Sequence, residues 1–277
     1  MARLTELTEA EAPPEKKAIY AEIRACCRAP MVALIYRHLG SLDGVLEWAW
    51  GALAPVMRSG ALPAAAEDVA AAAPYLNVEP FDRAALDGFG FRAIDSAAIQ
   101  YVIAGYHAAN PCNILAVLTL HALLAEADGH GAPAELPKAD AAMGPVGLPA
   151  LPAMISPDYL PAALDQLRPI NAGKIGLVPS LYRHLAYWPD WLEAVAEQKL
   201  APLYANGEIG RAAQTLHEIA NARAVAMAGE VKQWDGQPGR PSGAAREQLR
   251  TTLEAFVDTI PELIIVGRVM RQTTPAA

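Results

Sequence analysis

Two short runs carry the side chains best suited to chemistry, Tyr36-Arg37-His38-Leu39 and Tyr182-Arg183-His184-Leu185. A neutral imidazole accepts a proton near neutral pH, and a guanidinium can grip a carboxylate through paired hydrogen bonds. Each arginine is followed by a glutamate on the next helical segment, Glu47 and Glu193, at the same place after both runs. A structural ion pair or helix cap is therefore the expected use of Arg37 and Arg183, with carboxylate binding as the alternative. His38 stands where His184 stands in the other run, so helix packing competes with proton transfer for both.

Other chemistry finds little footing. The three cysteines are the adjacent pair Cys26-Cys27 and Cys112, with no Cys-x-x-Cys and no partner near Cys112 in sequence. The six histidines form no His-x-x-x-His, and neither a glycine-rich phosphate loop nor a nucleophile elbow is present. No metal and no organic cofactor is expected. Trp48, Trp50, Trp188 and Trp191, with Tyr101 and Tyr106, read as core or cleft wall, because large apolar surfaces at helical spacing face other helices.

The elements that must position these groups are helices. Helical periodicity runs throughout and no stretch alternates as a strand does. Pro13-Pro14-Glu15 opens a first helix with Ile19, Ile23 and Cys26 or Cys27 on its apolar stripe, and Pro30 stops it. A short apolar helix spans Met31 to Leu39. Asp43 is placed to cap a longer one that ends near Ser59-Gly60. An alanine-rich helix follows from Pro63 to Ala73, then a loop with at most one helical turn to Gly90. Ile94 to His107 is helical, Ala109-Asn110-Pro111 breaks it, and Asn110 caps the next helix to Ala125.

The two Tyr-Arg-His-Leu runs belong to longer matching stretches. Leu46-Glu47 answers Leu192-Glu193, and Ala54-Pro55 answers Ala201-Pro202 after one inserted residue. Ser59-Gly60 answers Asn206-Gly207, and Tyr106, Pro111 and Leu115 answer Phe256, Pro261 and Ile265, so that numbering shifts by 146 at the tyrosines and by 150 at the prolines. The expectation is an all-α chain of two homologous helical repeats, 1–127 and 157–277, joined by a Gly/Pro/Ala-rich linker, 128–156. In the second repeat Ser156-Pro157-Asp158 opens a helix through Leu160, Leu164 and Leu167. Glycine and proline then mark a loop from Gly229 to Gly243. The repeats are expected to pack as a pseudo-dimer with a cleft between them.

Composition limits the partners. With 53% hydrophobic and 19% charged residues the chain is expected to bury a large core, and a formal net charge of -8 offers no basic field for nucleic acid or anionic lipid. Met1 to Glu15 lacks an apolar signal core. The most apolar run, Ile114 to Leu124, is about half the length needed to cross a bilayer. A cytoplasmic protein with reduced thiols, a small-molecule ligand and no membrane or nucleic-acid partner is expected; a homodimer is compatible with these features.

Ala18 to Arg24, Pro30-Met31-Val32-Ala33 running into Tyr36-Arg37, Ala109-Asn110-Pro111, and Ser180 with Tyr182-Arg183 and Trp188-Pro189 together resemble the group I, or DL, 2-haloacid dehalogenases of the alkylhydroperoxidase-D-like superfamily. The resemblance covers most of the chain. It implies an all-helical pseudo-dimer that removes halide from either enantiomer of a short 2-halo acid by direct attack of water, without metal, organic cofactor or ester intermediate. In that family an aspartate activates the water, an asparagine orients it, and a serine with aromatic residues holds the substrate. The matching positions here are Asn110 for the asparagine and Ser180 for the serine. The family aspartate directly follows the serine, and this chain has Leu181 there.

Further pocket positions implied by the resemblance are Met31, Ala33, Leu34, Asn113 and Pro179, of which Met31 and Leu34 replace aromatic residues and Asn113 replaces a tyrosine. Leucine cannot accept a proton, and a positioned base is worth a factor of roughly 10² to 10⁴. Three functions follow as expectations: a dehalogenase-like protein whose small apolar pocket takes a short organic acid without family-type hydrolysis; an active hydrolase with His184 or His107 as substitute base, each three residues from Leu181 or Asn110; or a non-catalytic interaction protein.

Overall fold

The computed structural model describes residues 4–125, 147–167, 176–231, 241 and 243–274, and among these it is all helical, without a strand. Residues 4–8, without regular structure, and a turn over 9–11 lead into α1 (Pro14–Cys27), followed by α2 (Leu34–Gly40), α3 (Val45–Arg58), α4 (Ala61–Ala72), α5 (Arg83–Gly88) and the long α6 (Ala93–Ala125). Two 3₁₀ turns (Pro157–Tyr159, Ala162–Leu167) precede α7 (Ser180–Leu185) and α8 (Pro189–Ala194). A π-helical turn (Val195–Leu200) leads into α9 (Ala201–Ala205), and α10 (Glu208–Val231) and α11 (Gly243–Thr273) complete the chain. Most of the expected linker and most of the Gly229 to Gly243 loop lie outside the described residues, and the first three residues of that loop, 229–231, are helical.

The centre of the fold is α6, packed along α10 and α11. Its apolar residues surround the axis, with Ile99, Ile103, Ile114, Leu115, Leu120 and Leu124 all buried, and a helix that is apolar on every side must be enclosed. Ala109-Asn110-Pro111 does not break it, contrary to the sequence expectation, and Asn110 caps nothing. Proline removes one ladder hydrogen bond and crowds the preceding turn, but enclosure by the two other long helices favours continuing the helix. The unbroken segment Ile94–Leu124 is long and apolar enough to cross a membrane by length and composition, yet 78% of its apolar window is buried inside the protein.

Other starts also move. The expected helix at Met31 begins only at Leu34, because Ala33 is extended and the Val32 amide donates to Glu9 at 3.3 Å. Asp43 does not cap α3; Gly44 does, at φ +69°, where a side chain would be strained. Ser156 does cap, accepting from the Asp158 amide, but the segment it opens is 3₁₀ rather than α-helical. The opening helix ends at Cys27 rather than at Pro30, closed by Arg28 in the left-handed region. The π-helical turn falls where the matched sequences differ by one inserted residue, between Leu192 and Ala201, and a wider turn takes up one residue without breaking the helix.

Close approach is tightest at Gly40, where a Cβ would stand 2.1 Å from the Tyr20 hydroxyl oxygen. That hydroxyl donates to the Leu7 carbonyl at 3.1 Å and so fastens the N-terminal segment to α1. Gly40→Ala is expected to lower stability by about 1–3 kcal/mol, the usual range for overpacking. A urea unfolding curve within 0.5 kcal/mol of wild type would show that Tyr20 can move freely, against this account.

Candidate functional site

One cavity gathers most of the side chains singled out above. Met31, Ala33, Leu34, Asn110, Asn113, Pro179, Ser180 and Leu181 all line it, together with Tyr106 and, from α11, Phe256, Thr259, Ile260 and Leu263. Its volume is about 40 Å³, room for about three water-sized bodies at roughly 10–15 Å³ each. Residues 106, 110 and 113 reach it from one face of α6, as i, i+4 and i+7 positions do. Ser180 and Leu181 reach it from the first turn of α7. Leu181 is fully buried, and among the described residues no aspartate or glutamate lines the cavity.

The polar atoms are connected in a chain. The Arg37 guanidinium donates from Nη2 to Ser180 Oγ at 3.0 Å, Ser180 in turn hydrogen-bonds Tyr106, and the Tyr106 hydroxyl lies 2.7 Å from His184 Nδ1. Burial, with Arg37 and Arg183 nearby, pulls the His184 pKa down to about 4, against the backbone carbonyls of Pro152 and Ser180. The imidazole is thus neutral near pH 7 and shares a hydrogen bond with the Tyr106 hydroxyl. Burial raises the phenol above its ordinary pKa, so Tyr106 keeps its proton. His184 therefore does not line the cavity but stands behind Tyr106, which the sequence reading had treated as wall.

Arg37 and Arg183 do not pair with Glu47 and Glu193. Both bind one carboxylate that the sequence reading passed over, Glu6: Arg37 Nε donates to Oε2 at 2.8 Å and Arg183 Nη1 to Oε1 at 2.9 Å. Helix spacing places Glu47 beside Lys16 and leaves Glu193 exposed, while the segment 4–9 crosses both α2 and α7. Leu7 donates its amide to Arg37 O at 2.8 Å, and His38 Nδ1 donates to Thr5 O at 2.7 Å. Burial raises the Glu6 carboxyl, but the two guanidiniums outweigh it and hold its pKa below the usual value.

His107 lies elsewhere. It lines a second cavity of about 110 Å³ with Cys26, Cys27 and Cys112, on the other face of α6. Cys112, without a neighbour in sequence, meets Cys27 there; that hydrogen bond and burial push the Cys27 thiol well up, and burial raises Cys26. Raised thiols are poor nucleophiles. Burial, with Arg271 and Arg268, lowers the His107 pKa to about 4. Among the described residues no group of three or more His, Cys, Asp or Glu side chains is arranged to hold a metal.

No protein-family profile and no curated protein matches the sequence. Solved structures do match. A D-2-haloacid dehalogenase mutant in complex with D-2-CPA superposes with a TM-score of 0.75 at 17% identity, covering 99% of this chain and 97% of that one. A D-2-haloacid dehalogenase with L-LA gives 0.71 at 18% identity, with the same coverage. The chain has the fold of the D-2-haloacid dehalogenases.

The Glu6 pair makes a pH prediction. A carboxylate whose folded pKa is depressed contributes stability that is present above its unfolded value and lost as pH falls through the folded one. The neutral histidines His107 and His184 add to this from about pH 6.5 down to about 4, where the unfolded chain binds protons that the folded one refuses. Stability should fall as pH drops below about 6.5, steepening below the unfolded glutamate value near 4.3. Glu6→Gln should cost about 2–4 kcal/mol at pH 7 by leaving two guanidiniums short of a counter-charge and should make the acid limb shallower, with Asp95, held well below the usual carboxylate range by Arg92, keeping the rest. Thermal melts from pH 3 to 8 in which wild type and Glu6→Gln run parallel would rule this out.

Proposed function

We propose that the chain is a dehalogenase-like protein whose cavity between α6, α7 and α11 binds a short organic acid, and that it does not release halide through a carboxylate-activated water. The observation that carries this reading is Leu181, a fully buried aliphatic side chain in the wall that also holds Asn110 and Ser180. Asn110 can orient a water but has no basic group, and the other lining residues supply none that is ionised. An acid is favoured by charge: among the described residues Arg37 and Arg183 share the carboxylate of Glu6, which leaves one positive charge over beside Ser180. The fold neighbours named for haloacid chemistry support the same class of ligand.

The same proposal includes the two-repeat arrangement, 1–127 and 157–277, and the group I placement. Its support is the lining itself: Leu34 and Ser180, Ile35 and Leu181, Tyr106 and Phe256, Asn110 and Ile260, and Asn113 and Leu263 are related by the same offsets of 146 and 150 read from the sequence, and all line the cavity. On this reading the cavity lies at the pseudo-twofold axis, polar where one repeat supplies α6 and apolar where the other supplies α11.

A second reading keeps catalysis, with His184 acting on a substrate through Tyr106; the 2.7 Å contact between them favours it. Against it stands the weak basicity of an imidazole with a pKa of about 4.

Halide release from 2-chloropropionate is expected to be at background for wild type and to rise by roughly 10² to 10⁴ in Leu181→Asp, the value of a positioned base. Robust wild-type turnover abolished by Asn110→Ala would defeat the proposal. Turnover that vanishes in His184→Ala would instead establish the second reading.

A further inference from the structure

All three cysteines of the chain are buried and meet in one place. Cys26 and Cys27 end α1, Cys112 comes from α6, and together they line the cavity of about 110 Å³ whose rim includes the exposed Arg28 and Glu67. Adjacent residues do not bridge without strain, which sets Cys26 aside as a partner for Cys27. Cys27 instead hydrogen-bonds Cys112, from one helix to the other.

The surroundings suit a change of redox state. The Tyr36 hydroxyl is buried without a hydrogen-bond partner, and the ionisable groups that act on it are Cys27, Cys112 and Cys26. A free O–H donor gains a use when a sulfur becomes a thiolate, because a charged acceptor binds a proton donor more strongly than a neutral one. The pair also stands where a link matters. Helix α1 packs chiefly on α3 and meets α6 only over a short stretch. Yet Cys27 closes α1 just before Met31, Ala33 and Leu34, and Cys112 stands between Asn110 and Asn113, so a bond between them would tie together two parts of the small cavity's wall.

We propose that Cys27 and Cys112 are a modification site that closes to a disulfide by exchange with a small-molecule disulfide, stapling the end of α1 to α6. One thiol gives up its proton and attacks a sulfur of the reagent, RSSR; a mixed disulfide forms, and the departing RS⁻ takes up the proton as RSH. The second thiol then attacks the protein sulfur of that mixed disulfide. The Cys27–Cys112 bond forms, and a second RSH leaves with the remaining proton. Two electrons pass from the protein to RSSR, and no other reactant is consumed. Burial, which holds the Cys27 thiol protonated, slows the exchange without changing its products. The proposal does not depend on what the small cavity binds.

The test exposes the full-length protein to 2-hydroxyethyl disulfide, then alkylates it, maps its peptides by mass spectrometry and records thermal melts. A crosslinked peptide pair should join Cys27 to Cys112, with fragmentation leaving Cys26 outside the bridge as thiol or mixed disulfide. The bridge spans 85 residues of sequence, so the melting temperature should rise by about 4 °C or more over the reduced protein and return with dithiothreitol. Cys26→Ser should match wild type in both readouts, whereas Cys27→Ser and Cys112→Ser should lose the crosslink and the rise. The wild-type map is read without any variant, so a poorly folding serine variant leaves the outcome decidable. Three free thiols after prolonged exchange, mixed disulfides that never close, or a bond from Cys26 to Cys112 each overturn the proposal. A bridged form that melts no higher than the reduced one overturns it as well.

Discussion

A single carboxylate between two guanidiniums holds the parts of this molecule in register. Arg37 and Arg183 sit at the same place in α2 and α7, both largely withdrawn from water, and Glu6 reaches both from an irregular segment that belongs to neither helix. Two buried positive charges without a counter-charge would repel each other and lose their hydration. With Glu6 between them they instead bring the two helices to a common point. Arg37 is then aimed at Ser180, and the tail of the polar chain, Tyr106 and His184, follows from that aim. The two histidines of the matched runs repeat the theme: His38 on α2 reaches Thr252 on α11, and His184 on α7 reaches Tyr106 on α6.

The second organising element is the continuous helix α6, which sorts chemistry by face. Tyr106, Asn110 and Asn113 meet the small cavity, whereas His107, Pro111 and Cys112 meet the larger one beside Cys26 and Cys27. A break at Pro111 would have let these groups mix. Because the helix continues, the thiols are kept from the candidate site, and burial keeps them protonated.

Likeness of fold to D-2-haloacid dehalogenases over nearly the whole chain coexists with a wall whose described residues include no ionised base. A fold can host different activities, and the reaction is decided by particular atoms. Here those atoms form a set of neutral amides and hydroxyls with the Arg37 guanidinium behind Ser180. What it lacks is a group that takes a proton from water at neutral pH.

Much of this was legible in the chain itself. Helical periodicity announced an all-α fold, and the order of Asn110, Ser180 and their neighbours, matched to a family pattern, named eight residues that do line one cavity. Those signals are local or ordered along the sequence, so they survive without coordinates. The partner of Arg37 did not. Sequence spacing pointed to Glu47 on the following helix, but an ion pair is settled by which carboxylate arrives in space, and Glu6 arrives from a segment with no periodicity to read. Pro111 was misleading for a related reason: proline's preference is set by its nearest turn, whereas continuity of α6 is set by the helices that enclose it. The sequence by itself determined the all-helical class and supplied the candidate residues. Only the tertiary structure decided which polar atoms meet and which, like the Asn113 carbonyl, are left without a partner, because hydrogen bonds and charge pairs between distant segments depend on positions of a fraction of an ångström that no local pattern encodes.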